Sequence, residues 1–205
     1  MKLYFSPGAC SLSPHIALRE AGLDVQLVYV DIKSHKLADG SDYFAINPKG
    51  YVPALLLDSG DLLTEGPAIV QYIADLKPES HLAPPNGTLA RYHLQEWLNF
   101  ISTEIHKPYG PLFKKDAPED QKTAARDKIN KRFNYIEQKL GENQFLLGDD
   151  FGVADCYLYV MLIWTKHTGL DLSPYPKLSA YRERIAARPS VRVAIEAEKA
   201  LKPRI

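Results

Sequence analysis

The chain has 205 residues, of which 45% are apolar and 10% aromatic, so it can build packed cores and does not have the composition of a disordered protein. Its 25 basic and 25 acidic residues give a formal net charge of zero, which argues against nucleic acid or an anionic membrane as the main partner. No run approaches the roughly 20 apolar residues of a membrane span. Two cysteines do not form a secreted disulfide framework, so we expect a cytoplasmic protein.

Up to about residue 80, strand patterns alternate with helical ones. Short apolar or alternating runs predict strands, and apolar residues three and four apart predict helices. The predicted order is a strand at 3–5, a helix at 13–21, a strand at 25–30, a hairpin at 54–57 and 62–64, and a helix at 67–76. Segment 33–47 is polar and is predicted to be irregular, with a short helical turn at 43–45. This order predicts a small mixed sheet covered by helices.

Residues 77–87 are rich in proline, glycine and polar side chains, as is typical of a linker. They divide the chain into a predicted α/β domain at 1–80 and a predicted all-α domain at 87–205. Beyond the linker, every long segment has helical periodicity, at 89–107, 118–140, 153–167, 176–187 and 190–200. Segment 153–167 is apolar nearly all round, which predicts the central buried helix of the second domain.

Cys10 lies between the end of the first predicted strand and the start of the first predicted helix. Unpaired N–H groups and the positive end of the helix dipole at such a place favour the thiolate, which is the reactive form. The tetrad from Cys10 to Ser13 is Cys-x-x-Ser, a Cys-x-x-Cys redox motif with its second sulfur replaced by a hydroxyl. The alternative is that Cys10 is a small buried apolar residue. The strand–turn–helix context favours the reactive thiol.

Two further turns could bind a peptide-like ligand. Pro53 either stiffens a strand entry or forms a cis bond after Val52, which would turn the Val52 backbone outward toward an extended ligand. Gly66 opens a predicted helix, so its N–H can bind an anion, and Glu65 beside it can hold an ammonium group. Together the two residues could bind the zwitterionic end of an amino acid. The alternative is that Glu65 only caps the helix.

The helix predicted at 89–107 carries Asn99, Thr103 and His106 on one stripe by their spacing of four and three residues. A lone histidine is more often structural than catalytic. Histidine, cysteine and acidic residues do not occur at metal-ligand spacing, and no phosphate-binding glycine loop is present. Asp155 follows Gly152 by three residues, which predicts a helix cap with a role in folding.

Taken in order, these features resemble those of a cytosolic glutathione transferase of the bacterial beta class. The resemblance spans essentially the whole chain and is carried by five motifs in register: the segment 1–15 around the cysteine, Asn-Pro-Lys-Gly-Tyr-Val-Pro at 47–53, Leu-Thr-Glu-Gly-Pro-Ala-Ile-Val-Gln-Tyr at 63–72, Arg-Tyr-His-Leu-Gln-Glu-Trp-Leu-Asn-Phe at 91–100, and Gly-Val-Ala-Asp at 152–155. It implies a thioredoxin-like N-terminal domain with a mixed four-stranded sheet, an all-helical C-terminal domain and a homodimer. It also implies glutathione as a co-substrate, with no permanently bound cofactor and no metal.

The resemblance implies roles for residues of the N-terminal domain. Cys10 would lie beside the glutathione sulfur and could form a mixed disulfide with it. Val52, before a cis Pro53, would pair with the cysteinyl backbone, and Glu65 and Gly66 would hold the γ-glutamyl end. His35 stands where relatives carry a lysine, and would hold the glycyl carboxylate more weakly near neutral pH.

The resemblance also implies contributions from the helical domain, with His106 as a second catalytic residue beside the cysteine. The residues expected to contact glutathione, some of them in the neighbouring subunit's site, are Asn99, Thr103, Glu104, His106 and Lys107. A hydrophobic electrophile would lie against Tyr109, Phe113 and Trp164.

The implied activity is conjugation of glutathione to hydrophobic electrophiles, with thiol–disulfide exchange through Cys10. Phe5 stands near the position where other classes use a tyrosine hydroxyl to stabilise the thiolate, and a phenyl ring cannot donate that hydrogen bond. This difference favours exchange chemistry at Cys10. The alternative is a binding protein that holds glutathione as a mixed disulfide and sequesters apolar ligands with little turnover. A purely structural dimer module has no support in the sequence beyond the fold.

Overall fold

The computed structural model of the protein describes residues 1–201. In chain order the regular elements are β1 (Lys2–Phe5), α1 (Leu12–Glu20), β2 (Gln26–Asp31), β3 (Lys36–Leu37), β4 (Ala54–Leu56), β5 (Leu62–Thr64), α2 (Gly66–Leu76), α3 (Leu89–Phe100), α4 (Gly110–Phe113), α5 (Glu119–Leu140), α6 (Val153–Ile163), α7 (Thr165–Thr168), α8 (Pro176–Ala186) and α9 (Pro189–Ala200). The predicted strands and helices are confirmed in type, with ends that differ by a few residues, except that the helices predicted at 89–107 and 153–167 are not continuous α-helices.

Among the described residues the sheet has five strands in the order β3-β2-β1-β4-β5, where the sequence predicted four. β1 is parallel to β2 and antiparallel to β4, and β4 and β5 form the predicted hairpin. The additional strand, β3, pairs antiparallel with the end of β2. It lies in the stretch predicted to be irregular, because two residues are too few to show an alternating pattern.

By packing, the described residues form two compact units, one of residues 1–83 with 187–201 and one of residues 84–186. In the first unit α1 packs against both α2 and α9. Leu3 and Phe5 are fully buried on one face of β1, whereas Tyr4 joins a cluster with Tyr43 and Val30 on the other. The last helix thus packs against α1 and belongs to the unit that contains the sheet, although the sequence grouped it with the helical part. The domain limits 1–80 and 87–205 stay a prediction.

The second unit is helical throughout, as the sequence predicted, and α6 is its most buried element. The helix predicted at 153–167 is interrupted at Trp164 and resumes as the short α7. The predicted cap of α6 is confirmed, since the Gly152 N–H donates to Asp155 Oδ2 at 2.8 Å. Tyr181 also donates to the same carboxylate, at 2.7 Å. Within residues 1–201 no helix has the length and apolar character needed to cross a membrane.

The helix predicted at 89–107 is regular only in its first part. After α3 the chain makes a π-helical turn over Ile101–His106 and a 3₁₀ turn over Lys107–Tyr109 before α4 begins. A π-helical turn is wider than an α-helical one and is often found at functional sites. The stripe of Asn99, Thr103 and His106, predicted on α-helical spacing, therefore does not continue unchanged as far as His106.

Candidate functional site

Cys10 lies where the sequence placed it, between the end of β1 and the start of α1. The turn before it is closed by the Ala9 N–H, which donates to the Ser6 carbonyl at 3.0 Å. The hydroxyl of Ser11 fastens the same turn, because it accepts from the Ser6 N–H and donates to the Ser6 carbonyl, both at 3.2 Å. The cysteine is thus held in a fixed turn at the beginning of a helix.

The structure brings Cys10 and Val52 together. The Cys10 thiol donates to the Val52 carbonyl over an Sγ–O distance of 3.1 Å. The Val52–Pro53 peptide bond is cis, so the cis alternative is confirmed. The thiol therefore lies beside the stretch of backbone at which an extended ligand was predicted to pair.

The protonation of Cys10 differs from the expectation. Burial raises the pKa of the thiol to about 12, although the residue keeps part of its surface exposed. The backbone N–H groups of Cys10 and Ser11 favour the thiolate, whereas the carboxylates of Glu65 and Glu198 oppose it. The expected lowering by the helix terminus is thus outweighed by loss of water around the sulfur. In this structure the group is a thiol that donates a hydrogen bond.

The loop before Pro53 is fastened by its own side chains. The Tyr51 carbonyl accepts from the Asn47 amide at 2.8 Å and from the Tyr43 hydroxyl at 2.9 Å. The ring of His35 lies against Phe44 with a centroid separation of 4.5 Å, and its Nδ1 is 3.2 Å from the Gly50 carbonyl. The His35 ring is therefore positioned by the loop that leads to Val52.

Glu65 precedes α2 and presents its carboxylate to solvent, with 68% of the side chain exposed. Its backbone carbonyl accepts from the Ile69 N–H at 3.0 Å, but its side chain makes no capping hydrogen bond. The interpretation of the Glu65 side chain as a mere helix cap is therefore wrong. Instead, the Lys49 ammonium lies 2.8 Å from Glu65 Oε1 and 3.0 Å from Thr64 Oγ1. Glu65 thus already holds a cation of the kind it was predicted to hold, and the sequence analysis missed Lys49.

A second missed residue is Glu198, which is 1% exposed. One of its carboxylate oxygens accepts from the Gly8 N–H at 3.0 Å, and the other lies 3.1 Å from Nδ1 of the fully buried His15. The sequence carries a signal for it, since Val191, Ala194 and Glu198 follow one another at helical spacing on the buried side of α9. An acidic residue in an apolar stripe needs a partner.

The residues predicted from the helical part lie around the π-helical turn. Asn99, Thr103 and Lys107 are exposed. Glu104 is bound by the Arg132 guanidinium, with N–O distances of 2.9 and 2.6 Å. Hydrogen bonding by Arg132 lowers the pKa of the Glu104 carboxyl. Glu104 is therefore an ionised group already paired within its own unit.

His106 stands at the end of the π-helical turn among aromatic side chains. Its Nδ1 and the Tyr157 hydroxyl are joined by a hydrogen bond of 2.6 Å, whose donor depends on the imidazole tautomer. The ring of Trp164 lies 5.0 Å from the imidazole, between centroids. His106 is half-buried, so the imidazole is positioned by its neighbours and still reachable.

The predicted electrophile pocket is only partly matched. Phe113 is 51% exposed and packs on Trp164 at a centroid distance of 5.0 Å. Tyr109, however, is fully buried and donates its hydroxyl to the Met161 carbonyl at 2.8 Å. Tyr109 therefore packs against Phe113 and Trp164 inside the protein, and its own ring is not accessible to a ligand.

Within residues 1–201 no group of three or more histidine, cysteine or acidic side chains is placed to hold a metal ion. Neither cysteine in this part of the chain forms a disulfide. The roles of the site residues in binding stay predictions.

Comparison with protein families matches two models. The N-terminal domain of glutathione S-transferases matches residues 8–76, and the C-terminal domain of glutathione S-transferases matches residues 97–189. Together these matches cover most of the chain.

Individual proteins are similar over nearly the full length. Glutathione S-transferase GstA of Escherichia coli O157:H7 is 47% identical over 198 residues, with 97% of this chain and 98% of that protein covered. The structure of a sphingomonad glutathione S-transferase complexed with glutathione is 48% identical, with a TM-score of 0.94 and coverage of 97% and 99%. The bacterial beta-class glutathione S-transferase of Sphingomonas chungbukensis is 49% identical, with a TM-score of 0.93 and coverage of 97% and 98%.

Proposed function

The chain belongs to the glutathione S-transferase family, and we propose that it conjugates glutathione to hydrophobic electrophiles and exchanges disulfides with glutathione through Cys10. Membership in the family makes it a transferase. The observation that carries the proposal is the pairing of the Cys10 thiol with the Val52 carbonyl at 3.1 Å. It puts a nucleophile beside the backbone edge at which a glutathione cysteine would pair.

The first unit supplies the proposed glutathione site. Val52 would bind the cysteinyl backbone, as in an added strand. Glu65 and the Gly66 N–H would hold the γ-glutamyl end, and His35 the glycyl carboxylate. A sphingomonad relative at 48% identity has been solved with glutathione bound, which supports glutathione as the co-substrate. The two reduced cysteines fit a reducing compartment such as the cytoplasm.

The helical unit supplies the remaining proposed contacts. We assign Asn99, Thr103, Glu104 and Lys107 to glutathione, some of them across the interface of a homodimer. His106 is the proposed acceptor of the thiol proton, because its imidazole is half-buried and held by Tyr157. Phe113 and Trp164 would contact the electrophile.

Both reactions use a thiolate as the nucleophile. In exchange, the Cys10 thiolate attacks one sulfur of glutathione disulfide, a bond to Cys10 forms, and the second glutathione leaves as its thiolate. In conjugation, the glutathione thiolate forms a carbon–sulfur bond while the leaving group departs with its electron pair. Because burial raises the pKa of Cys10 to about 12, we expect exchange through Cys10 to accelerate with pH across the neutral range.

The decisive experiment is intact mass spectrometry after incubation with glutathione disulfide. We expect one glutathione adduct that dithiothreitol removes and that Cys10→Ala lacks. Steady-state turnover of the wild type and Cys10→Ala is then compared, with chlorodinitrobenzene as the electrophile and with a low-molecular-weight disulfide. Absence of the adduct would refute exchange through Cys10, and absence of turnover with both substrates would refute the enzymatic proposal.

The glutathione site has a separate test. Glu65→Ala should weaken glutathione binding by roughly tenfold, since a hydrogen bond to a charged group is worth about 1.5 kcal/mol or more. Isothermal titration calorimetry measures the dissociation constant. Asp61→Ala, an exposed acidic residue before β5, is the control and should bind glutathione as the wild type does. Equal affinity of Glu65→Ala and the wild type would contradict the assignment of Glu65 to the ammonium group.

A second candidate function is favoured by the protonated state of Cys10. Once a mixed disulfide has formed, Cys10 is the leaving group when another thiolate attacks the glutathione sulfur. Because burial raises the pKa of the Cys10 thiol, it is a slow leaving group and the adduct persists. The protein would then hold glutathione as a stable adduct and bind apolar ligands with little turnover. A persistent adduct combined with negligible turnover on both substrates would favour this function.

A further inference from the structure

Ser13 carries a buried hydroxyl that no hydrogen bond explains. The residue is 1% exposed, and its Oγ has no hydrogen-bond partner among residues 1–201. Most buried side-chain hydroxyls are hydrogen-bonded, so each exception needs a physical reason. Ser13 also stands at the position that would hold the second sulfur of a Cys-x-x-Cys motif beginning at Cys10.

Its neighbour Ser11 shows that the site can satisfy a buried hydroxyl. Ser11 is fully buried, and its Oγ both accepts from and donates to the backbone of Ser6. Two serines on the same helix start therefore differ in their bonding, although both are excluded from solvent. The Ser11 hydroxyl therefore stabilises the turn, whereas the Ser13 hydroxyl makes no hydrogen bond within residues 1–201.

Ser13 is joined to Cys10 by a single turn. The Ser13 N–H donates to the Cys10 carbonyl at 3.2 Å, and residues three apart in a helical turn carry their side chains on the same side. Cys10 and Ser13 therefore lie within one turn of each other at the start of α1.

Ionisation of Cys10 changes which bonds its sulfur can make. As a thiol it donates to the Val52 carbonyl at 3.1 Å. A thiolate can only accept, so it loses that bond and meets the negative end of the same carbonyl dipole. The carboxylates of Glu65 and Glu198 also disfavour the charge. The ionised sulfur thus needs donors beyond the backbone N–H groups around it.

We propose that the Ser13 hydroxyl donates a hydrogen bond to the Cys10 sulfur when Cys10 is ionised, which makes Ser13 a positioning residue for the reactions of Cys10. This inference rests on the proposed function only in taking Cys10 as the nucleophile. A hydroxyl unused in the thiol state and used in the thiolate state stabilises the charged form selectively. The Ser13 hydroxyl makes no hydrogen bond within residues 1–201 while Cys10 is a thiol, so only the thiolate gains from it.

Alkylation by iodoacetamide tests the proposal without glutathione. The thiolate forms a sulfur–carbon bond and iodide leaves with the electron pair, so the rate at each pH reports the thiolate fraction. For Ser13→Ala we expect the rate profile to move up by about one pH unit, which is roughly a tenfold loss of rate at neutral pH. Mass spectrometry counts the labels, and Cys10→Ala reports any labelling of Cys156. An unchanged profile in Ser13→Ala would overturn the proposal.

Urea unfolding distinguishes stabilisation of the Cys10 thiolate by Ser13 from a structural role of its hydroxyl. Ser11→Ala is the matched control. Because the Ser13 hydroxyl has no partner in the described part of the chain, Ser13→Ala should unfold at the same or a higher urea concentration than the wild type. Ser11→Ala should unfold at a lower concentration, because it loses two hydrogen bonds and leaves Ser6 groups buried. If Ser13→Ala is destabilised as much as Ser11→Ala, the hydroxyl is structural and the proposal fails.

Ser13→Cys tests the geometry directly. After incubation with glutathione disulfide, the introduced thiolate should attack the Cys10 sulfur of the mixed disulfide, form a disulfide within the chain and release glutathione as its thiolate. The expected product lacks the glutathione adduct and is lighter than the reduced variant by a pair of hydrogens. If Ser13→Cys and the wild type both keep the glutathione adduct, the side chains at positions 10 and 13 are not close enough to form a disulfide. If the wild type itself forms no adduct, the proposed exchange through Cys10 fails, and the alkylation profile alone decides the role of Ser13.

Discussion

Replacing Glu198 by alanine should destabilise the first unit strongly. The carboxylate is 1% exposed, accepts from the Gly8 N–H at 3.0 Å and lies 3.1 Å from His15, which is fully buried. Removing one member of a buried pair leaves the other without compensation and costs about 3–5 kcal/mol. The free energy of unfolding of a typical protein is about 5–15 kcal/mol, so this loss would be a large share of the total stability.

Urea unfolding followed by circular dichroism measures the effect. With an m-value of about 3 kcal/mol/M, we expect the midpoint for Glu198→Ala to fall by about 1 M or more. Glu198→Gln keeps an acceptor for Gly8 and should lose less. The matched control is Glu196→Ala on the same helix, whose pair with Lys199 is exposed on both sides and is worth about 0.5 kcal/mol. If the free energies of unfolding of Glu198→Ala and Glu196→Ala differ by less than about 1 kcal/mol, the Glu198 carboxylate does not stabilise the turn before Cys10.

Two other expectations follow from buried or crowded positions. Burial raises the pKa of Asp155 to about 6, above its value of about 3.9 in an unfolded chain, so the native state binds more protons between these values and its stability falls as pH rises through them. The stability advantage of the wild type over Asp155→Asn in urea unfolding should therefore shrink from about pH 4 to about pH 6; an advantage that grows with pH would contradict this. Gly50 has φ +71°, and an added Cβ would lie 2.6 Å from Phe44 Cε1, whereas Gly40 has φ +85° and nothing within 4 Å. Thermal unfolding should therefore show a loss of folding stability that is about 1–3 kcal/mol larger for Gly50→Ala than for Gly40→Ala. Equal losses would show that the Phe44 side chain moves aside without destabilising the protein.

The sequence was sufficient wherever a pattern extends over several residues. Apolar spacing located the long helices, and the glycine and proline positions located the turns around Cys10, Pro53 and Glu65. Asp155 could be recognised as a cap because its partner is only three residues away. In such features the interacting residues are only a few positions apart in the sequence, so a local pattern predicts the interaction.

The sequence was insufficient where a partner is distant or an element is short. Glu198 contacts Gly8 across 190 positions, and no local rule connects them. β3 has two residues, and the π-helical turn at Ile101–His106 differs from an α-helix by packing and not by composition. The protonation of Cys10 was misjudged because the helix terminus is visible in the sequence, whereas the loss of water around the sulfur depends on the folded chain.

The discontinuity of the first unit has a consequence for biosynthesis. Its sheet is encoded at the beginning of the chain, but the helix that carries Glu198 is translated only after the whole of residues 84–186. A nascent chain on the ribosome therefore lacks the carboxylate that binds Gly8 and His15. The turn that presents Cys10 can therefore reach its final form only after residues 84–186 and the segment of α9 have been translated, so the surroundings of the Cys10 thiol are completed later than the helical unit.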